Sequence, residues 1–503
     1  MNKKELERGL PEEVGIKSEA ILRLIDHMEE DFTEAHGIMI YRHGKVVTEG
    51  WWAPYSSNLR HSMMSASKTF SGTAIGIALR EGILSLDEKV VDLFPEYLPE
   101  EVSDNLKKVT IHHLLSMTSG VEYETRLTPT WIKDYLSAPF KDEPGTDDSF
   151  LYNNAPATLL AAIIRKKTGL HLKDYLKPRL FDIIGIDADN ITWFSALDGT
   201  AFAPGGLHCT TEDLLRLMKL YLDGGVWDGV RILDEDYVKA ATSKQANTNK
   251  KMKYIVCQDR LSDNTFGYGY MMWMGRKEGT YRAEGAFGQF GFVDPSKDII
   301  IAITQSCSES PVSQTTLDYI WEFLDTIEED HLEKNPEMNQ ILANRLARLA
   351  IPCEKVKSGS FKHDGEIYDL CDEHIHIENL FYDPIKQNPE AKKYHGISSF
   401  SLTKVPNQQM VKMKATINDL PYDLEIPLDG SRRINVIDEM YVSLAALSGY
   451  FKDEDTFVLN VRWMEQIYAA GFEFHFEGNE CTITDHEITG RWNLKGSVKA
   501  VLR

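Results

Sequence analysis

The chain has 503 residues, more than one ordinary hydrophobic core organises, so two or more domains are expected. A hydrophobic content of 42% is that of a folded globular protein and excludes wholesale disorder. The formal charge of −22 argues against nucleic acid and against anionic membrane surfaces as partners.

Met1-Asn2-Lys3-Lys4 is followed by Glu5-Leu6-Glu7-Arg8, so a signal peptide with an apolar core is not expected. No stretch approaches the ~20 apolar residues that span a bilayer. Cys209, Cys257, Cys307, Cys353, Cys371 and Cys481 are scattered without a CxxC pair, which fits reduced thiols. The expected location is cytoplasmic.

From Glu19 to Glu30, Ile21, Leu22, Leu24, Ile25 and Met28 recur at helical spacing. Gly37–Tyr41 and Val46–Thr48 flank Arg42-His43-Gly44-Lys45 and predict a β-hairpin. That hairpin starts a sheet which a later region must complete. His61 to Gly82 then carries Ser65-Ala66-Ser67-Lys68 at the head of a predicted apolar helix. Residues three apart share a helix face, so Ser65 and Lys68 face the same way. Neither Ser62 nor Ser67 has a lysine three residues on. A serine hydroxyl needs a base to become a nucleophile, and a lysine serves if its pKa falls from ~10.4 in the free side chain. Taken alone, the same spacing also describes a capped, solvated helix start.

Ser85 to Pro95 and Thr110 to Met117 predict short helices; His112 and His113 in the second read as packing or surface residues, since no acid or cysteine stands at ligand spacing. Glu122 to Phe150 loses periodicity and is rich in aromatics, as in a site-lining loop or an anchored surface loop. Tyr152-Asn153-Asn154 precedes an apolar helix from Ala157 to Ile164. A phenol can move a proton beside a lysine and a carboxamide can hold one in place; a capped turn with a packed tyrosine is the plainer reading. Trp193 to Gly206 is a glycine-punctuated loop before a helix from Thr211 to Leu222.

Phe266–Trp273, Tyr281–Gln289, Phe290–Val293 and Asp298–Ile303 read as the returning strands, with a helix from Thr315 to Ile327 packed on them. Gly285 and Gly288 permit close backbone approach. A charged stretch from Glu328 to Met338 and a helix from Asn339 to Leu349 lead to alternating strands, such as Phe457-Leu459-Val461-Trp463 and Phe472-Phe474-Phe476. The expected division is residues 1–335 and a β-rich barrel or sandwich domain, with a linking helix, over 336–503. His374 and His376, with Glu373 and Glu378, read as a polar strand face rather than a metal site. With no phosphate loop, dinucleotide fingerprint or metal cluster, no cofactor is expected.

Ser65-x-x-Lys68, Tyr152-x-Asn154 and Gly285-Ala286-Phe287-Gly288-Gln289, in that order, closely resemble the motifs of the β-lactamase-related serine hydrolases: class C β-lactamases, DD-peptidases, family VIII esterases and aminohexanoate-oligomer hydrolases. The segments Ile111–Gly120 and Pro144-Gly145-Thr146 lie between them as in that family. The resemblance covers roughly residues 10 to 330. It implies an α+β fold, an antiparallel sheet flanked by helices beside a helical region, with the site in the groove between. It implies Ser65 as nucleophile, Lys68 as its base, Tyr152 as proton relay, and Asn154 as the residue positioning Lys68 and substrate. It implies an oxyanion hole formed by the backbone N–H groups of Ser65 and Ala286, with Gly285 beside it. Many relatives carry Lys or His two residues before the glycine matching Gly285; here that position is Ala283.

The resulting expectation is a cofactor-independent serine hydrolase acting through an acyl-enzyme on a carboxylic ester or small amide. A β-lactamase or D-amino-acid peptidase, and an inactive ligand-binding relative, are the alternatives. The oligomeric state is left open.

Overall fold

The computed structural model describes residues 5–30, 34–123, 128–196, 198–248, 256–257, 260–307, 313–352, 359–371, 396–439, 442–489 and 496–503. The chain divides into two compact units. One comprises Met1–Trp51 and Arg60–Leu349, the other Trp52–Leu59 and Ala350–Arg503.

In the first unit the strands that matter are β1 (Glu7–Arg8), β2 (Ala35–Arg42), β3 (Lys45–Trp51), β4 (His61–Ser62), β5 (Thr192–Trp193), β6 (Leu207–Cys209), β7 (Trp273–Met274), β8 (Tyr281–Gly285), β9 (Gln289–Asp294) and β10 (Ile299–Gln305). The main sheet runs β1-β3-β2-β10-β9-β8-β7. All of its ladders are antiparallel except that of β1 with β3. The early hairpin β2–β3 is thus completed by strands from the end of the unit. Ile38, Ile40, Ile299, Ile300, Ile301 and Ile303 are all buried, as in strands covered on both faces. β4, β6 and β5 form a separate small sheet.

Five of this unit's helices matter here: α1 (Ser18–His27), α2 (Ser67–Arg80), α3 (Ala155–Thr168), α4 (Thr211–Leu222) and α5 (Gln314–Asp325). α4 packs on β2, β9 and β10, and a Cβ on Gly291 of β9 would meet Met218 of α4. On the other face, Trp321 of α5 packs edge-on against Phe292, with centroids 5.1 Å apart. α2 is buried at every residue from Ser67 to Ala78 and packs on α3, so it is a central helix rather than an amphipathic surface one.

The strand predicted over Phe266–Trp273 is corrected. Only Trp273–Met274 joins the sheet. Gly267 (φ +130°) and Met271 (φ +56°) take left-handed backbone conformations that a continuous extended strand does not contain. Tyr268 is left on a connecting segment beneath the site.

The second unit is β-rich. Its ten-stranded sheet grows in two directions from Ile367–Leu370: through Ile397–Lys404 and Met410–Ile417 to Leu420–Pro427, and through Ser497–Leu502 back to Arg433–Glu439. The end strands are linked by Asn435, whose side chain accepts from the Glu425 N–H at 2.8 Å and donates to the Glu425 carbonyl at 3.1 Å. The sheet therefore curls into a barrel-like form around Phe400, Phe451, Phe457, Phe474 and Phe476. His374 and His376 lie outside the described residues.

Thr210 caps α4 with a reciprocal pair. Its Oγ1 accepts from the Asp213 N–H at 3.1 Å, and the Asp213 carboxylate accepts from the Thr210 N–H at 2.9 Å. Thr210→Ala should lower the unfolding free energy by about 1 kcal/mol in chemical denaturation. An unchanged midpoint would mean that Asp213 alone caps the helix.

Candidate active site

Ser65 lies in a 3₁₀ turn, Met64–Ala66, that runs directly into α2 at Ser67. Met64 has φ +46°, a conformation unusual for a non-glycine residue that persists only where surroundings enforce it. They do so here: Ser67 Oγ donates to the Met64 carbonyl at 2.6 Å and accepts from the Leu207 N–H at 3.3 Å. The Met63 N–H donates to the Leu207 carbonyl at 2.9 Å. Just upstream, His36 on β2 and His61 on β4 are both buried, with Nδ1 of the first 2.8 Å from Nε2 of the second. The turn carrying Ser65 is therefore tied to the main sheet and to the small sheet.

Lys68, the second residue of α2 and one turn beyond Ser65, is 1% exposed. Its Nζ lies 2.8 Å from Ser65 Oγ, 3.0 Å from Asn154 Oδ1 and 3.0 Å from the Pro204 carbonyl oxygen. The carbonyl and the amide oxygen can only accept. When the amine is neutral, its two N–H groups satisfy those two oxygens and its lone pair faces the one neighbour of the three that can donate, the Ser65 hydroxyl. When it is an ammonium, its three protons match all three oxygens. The site thus accommodates both states with Ser65 Oγ as the point of proton exchange.

Tyr152 is positioned from below. The Leu151 N–H donates to the Met117 carbonyl at 3.0 Å, and Asn153 Oδ1 accepts from the Ala155 N–H at 3.0 Å at the start of α3. Asn154 is the N-cap residue but makes no side-chain capping bond; the Asn153 side chain closes the turn instead, and the Asn154 carboxamide reaches Lys68. The Tyr152 ring lies under Lys68 Nζ, 4.8 Å from nitrogen to centroid. Trp273 and Tyr268 hold the ring, with centroids 5.0 and 5.9 Å away. Burial, reinforced by Tyr152 and Glu284, pushes the Tyr268 phenol well above its ordinary range, so Tyr268 stays neutral.

β8 forms the opposite wall. A Cβ on Gly285 would stand 2.2 Å from the Met63 carbonyl oxygen, so only glycine lets this strand lie against the Ser65 turn. Ala286 follows at the tip of the β8–β9 hairpin. Ala283 is fully buried, and Arg282 points to the other face of the strand. There its guanidinium donates to Glu284 Oε2 at 2.7 Å, to the Met274 carbonyl at 2.9 Å and to Asn264 Oδ1. Arg282 is committed to that buried network and does not stand in for a cation at position 283.

Ser65, Lys68, Tyr152 and Asn154 are thus brought together, with Gly285 against the same turn and Ala286 next after it in the chain. Three contributors had no local sequence signal: the Pro204 carbonyl, the aromatic support from Trp273 and Tyr268, and the His36–His61 pair. His113 closes a capping box with Thr110, and His112 Nδ1 lies 2.8 Å from the Tyr270 hydroxyl, so both are packing residues. Among the described residues no group of three His, Cys, Asp or Glu could hold a metal ion. Among the described residues no helix is long and apolar enough to cross a membrane.

The Beta-lactamase family model matches residues 25–324. A 6-aminohexanoate-dimer hydrolase from Paenarthrobacter ureafaciens is 27% identical over 304 residues, which cover 55% of this chain and 74% of that protein. A beta-lactamase from Yersinia enterocolitica is 24% identical over 248 residues, 42% of this chain and 57% of that one. Among solved structures, a candidate beta-lactamase from Bacteroides dorei DSM 17855 superimposes with a TM-score of 0.51 at 17% identity, covering 62% of this chain and 99% of that chain. At that identity the likeness is one of fold.

Two glycines beside the Ser65 turn separate tight packing from ordinary contact. Gly285→Ala should destabilise the protein by about 1–3 kcal/mol in chemical denaturation. Gly205→Ala, whose Cβ would come no nearer than 3.5 Å to any neighbour, should be close to neutral. Equal effects would show that the approach of β8 to Met63 is not a tight constraint.

Proposed function

The chain belongs to the beta-lactamase family and is a serine hydrolase; from that premise we propose that it acts through an acyl-enzyme on a carboxylic ester or small amide, with Ser65 as nucleophile. The observation that carries this is the 2.8 Å contact between Lys68 Nζ and Ser65 Oγ, with two obligate acceptors on the same nitrogen. In the attack, Ser65 Oγ bonds to the substrate carbonyl carbon while its proton passes to neutral Lys68. The developing oxyanion accepts from the N–H groups of Ser65 and Ala286, an interaction usually worth about 3–4 kcal/mol per donor in the transition state. As the carbon–heteroatom bond breaks, the leaving alcohol or amine takes a proton through Tyr152 and Lys68. Water then attacks the ester on Ser65 with the roles reversed, releasing the acid and restoring the hydroxyl. Asn154 holds Lys68 in line.

The substrate reading rests on β8. Ala283 provides no cation, and Arg282 is engaged by Glu284 and Asn264 behind the strand. A substrate carboxylate therefore has no anchor at that position, and neutral esters and amides suit the groove better than penicillins or cephalosporins. The name of the Paenarthrobacter relative, a 6-aminohexanoate-dimer hydrolase, accords with an amide.

Ser65→Ala should abolish turnover and leave the fold intact; undiminished hydrolysis by the purified variant would falsify the assignment. Lys68→Ala and Tyr152→Phe should each slow acylation by orders of magnitude. Their double variant should be little slower than the worse single one, because members of one relay are not additive. Multiplicative losses would make the two residues independent. Since attack requires an unprotonated amine, kcat/KM should rise with pH on its acid limb.

On substrates, short-chain aryl esters should be hydrolysed and β-lactams poorly or not at all, compared as kcat/KM ratios. Ala283→Lys should shift that ratio towards β-lactams, although the buried position makes some loss of stability the expected accompaniment. A wild-type preference for a cephalosporin over every ester would overturn the ester reading.

A further inference from the structure

We infer that Gln289 is the positioning residue of the oxyanion hole: its buried carboxamide sets the turn that aims the Ala286 N–H at the substrate carbonyl. This rests on the reading of Ser65 and Ala286 given above.

The β8–β9 hairpin is buried from Tyr281 to Asp294 at every residue except Ala286, which is partly exposed. Its turn is closed by the Gly288 N–H donating to the Gly285 carbonyl at 3.2 Å. Ala286 keeps a negative φ while Phe287 takes φ +64°, which makes Gly285–Gly288 a type II turn with phenylalanine where glycine is ordinarily required. An isolated chain would avoid that conformation at a cost of roughly 1–2 kcal/mol for a residue with a Cβ. Something in the fold must impose it.

Gln289 does so directly. It is 0% exposed, and its Nε2 donates to the Ala286 carbonyl at 3.2 Å and to the Gln305 carbonyl at 2.8 Å. Its Oε1 accepts from the Gln305 N–H at 3.3 Å. The Cys307 N–H holds the Phe287 carbonyl at 3.0 Å. All three carbonyls at the head of the turn, those of Gly285, Ala286 and Phe287, are therefore tied inward. Flipping the peptide after Ala286 would strip the Gln289 amide of an acceptor in a buried site, which is costly. Among the described residues the Ala286 N–H donates to no acceptor, and it belongs to the one residue of the hairpin that reaches the surface. The Ala286 N–H itself is part of the preceding trans peptide, whose Gly285 carbonyl is held inward by the Gly288 N–H, so the N–H points outward. By fixing the next peptide, the carboxamide keeps this strained turn closed with that donor left for the substrate.

Gln289→Glu keeps the shape and the acceptor for the Gln305 N–H but removes both amide protons. Gln289→Leu removes all three hydrogen bonds and serves if the first variant does not fold. The probes are an aryl ester and an arylboronic acid, which becomes tetrahedral on a serine. In a variant whose circular dichroism matches wild type, kcat should fall about ten- to a hundredfold with KM within twofold. Boronate affinity should fall in step with kcat/KM. A purely structural role would lower the melting temperature without this kcat-against-KM split. Wild-type kcat and boronate affinity in either folded variant, or a loss confined to KM, would overturn the inference. A wild-type protein that neither cleaves esters nor binds boronate would instead defeat the serine hydrolase reading on which it depends.

Discussion

The site is organised around one buried amine. A lysine nitrogen taken out of water loses several kcal/mol of hydration if charged and uncompensated, so its neighbours decide what it can do. Here Ser65 Oγ, Asn154 Oδ1 and the Pro204 carbonyl surround Lys68 Nζ at 2.8 to 3.0 Å. They come from the head of α2, the loop before α3 and the loop before β6, segments that meet only in the folded chain. Both protonation states keep their hydrogen bonds, so a proton can move between Ser65 and Lys68 without rearrangement of the surroundings. That is the preorganisation which the proposed role of Ser65 as nucleophile requires.

A second constraint places the other half of the site. Gly285 brings β8 against the Met63 carbonyl, and on either side of this contact stand two non-glycine residues with left-handed backbone, Met64 and Phe287. Such residues cost of order 1–3 kcal/mol each and persist where the surrounding structure over-determines them. Ser67 and Leu207 enforce the first, Gln289 and Cys307 the second. Ser65 and Ala286 are each the neighbour of one of these residues. The strain is located where the proposed oxyanion hole requires two backbone donors to converge, which gives it a functional reading rather than a decorative one.

The fold class was legible in the sequence because its elements are local: the hairpin of β2 and β3, the apolar run of β10 and the buried α2 each declare themselves by periodicity or punctuation. The Ser65–Lys68 spacing was legible because a helix turn makes residues three apart neighbours. Pro204 was not, since a carbonyl has no residue-type signature and lies 136 residues from Lys68. Gln289 stood within a noticed motif, but its partner Gln305 is on the adjacent strand, and only the register of β9 and β10 brings the two together. Phe266–Trp273 misled because its alternating aromatics imitate a strand while Gly267 and Met271 bend the backbone out of one. The side chain that closes the turn before α3 is that of Asn153, not of the N-cap residue Asn154, a one-residue distinction that composition does not contain.

The account stands or falls on where the acyl group goes. Wild-type protein mixed briefly with an activated aryl ester, quenched in acid and digested, should yield one acylated peptide, and fragmentation should place the acyl group on Ser65. The same peptide from Lys68→Ala should remain unmodified over the same interval. An acyl group on any other residue, or equal labelling of Ser65 in the Lys68 variant, would contradict the claim that this buried amine activates this serine.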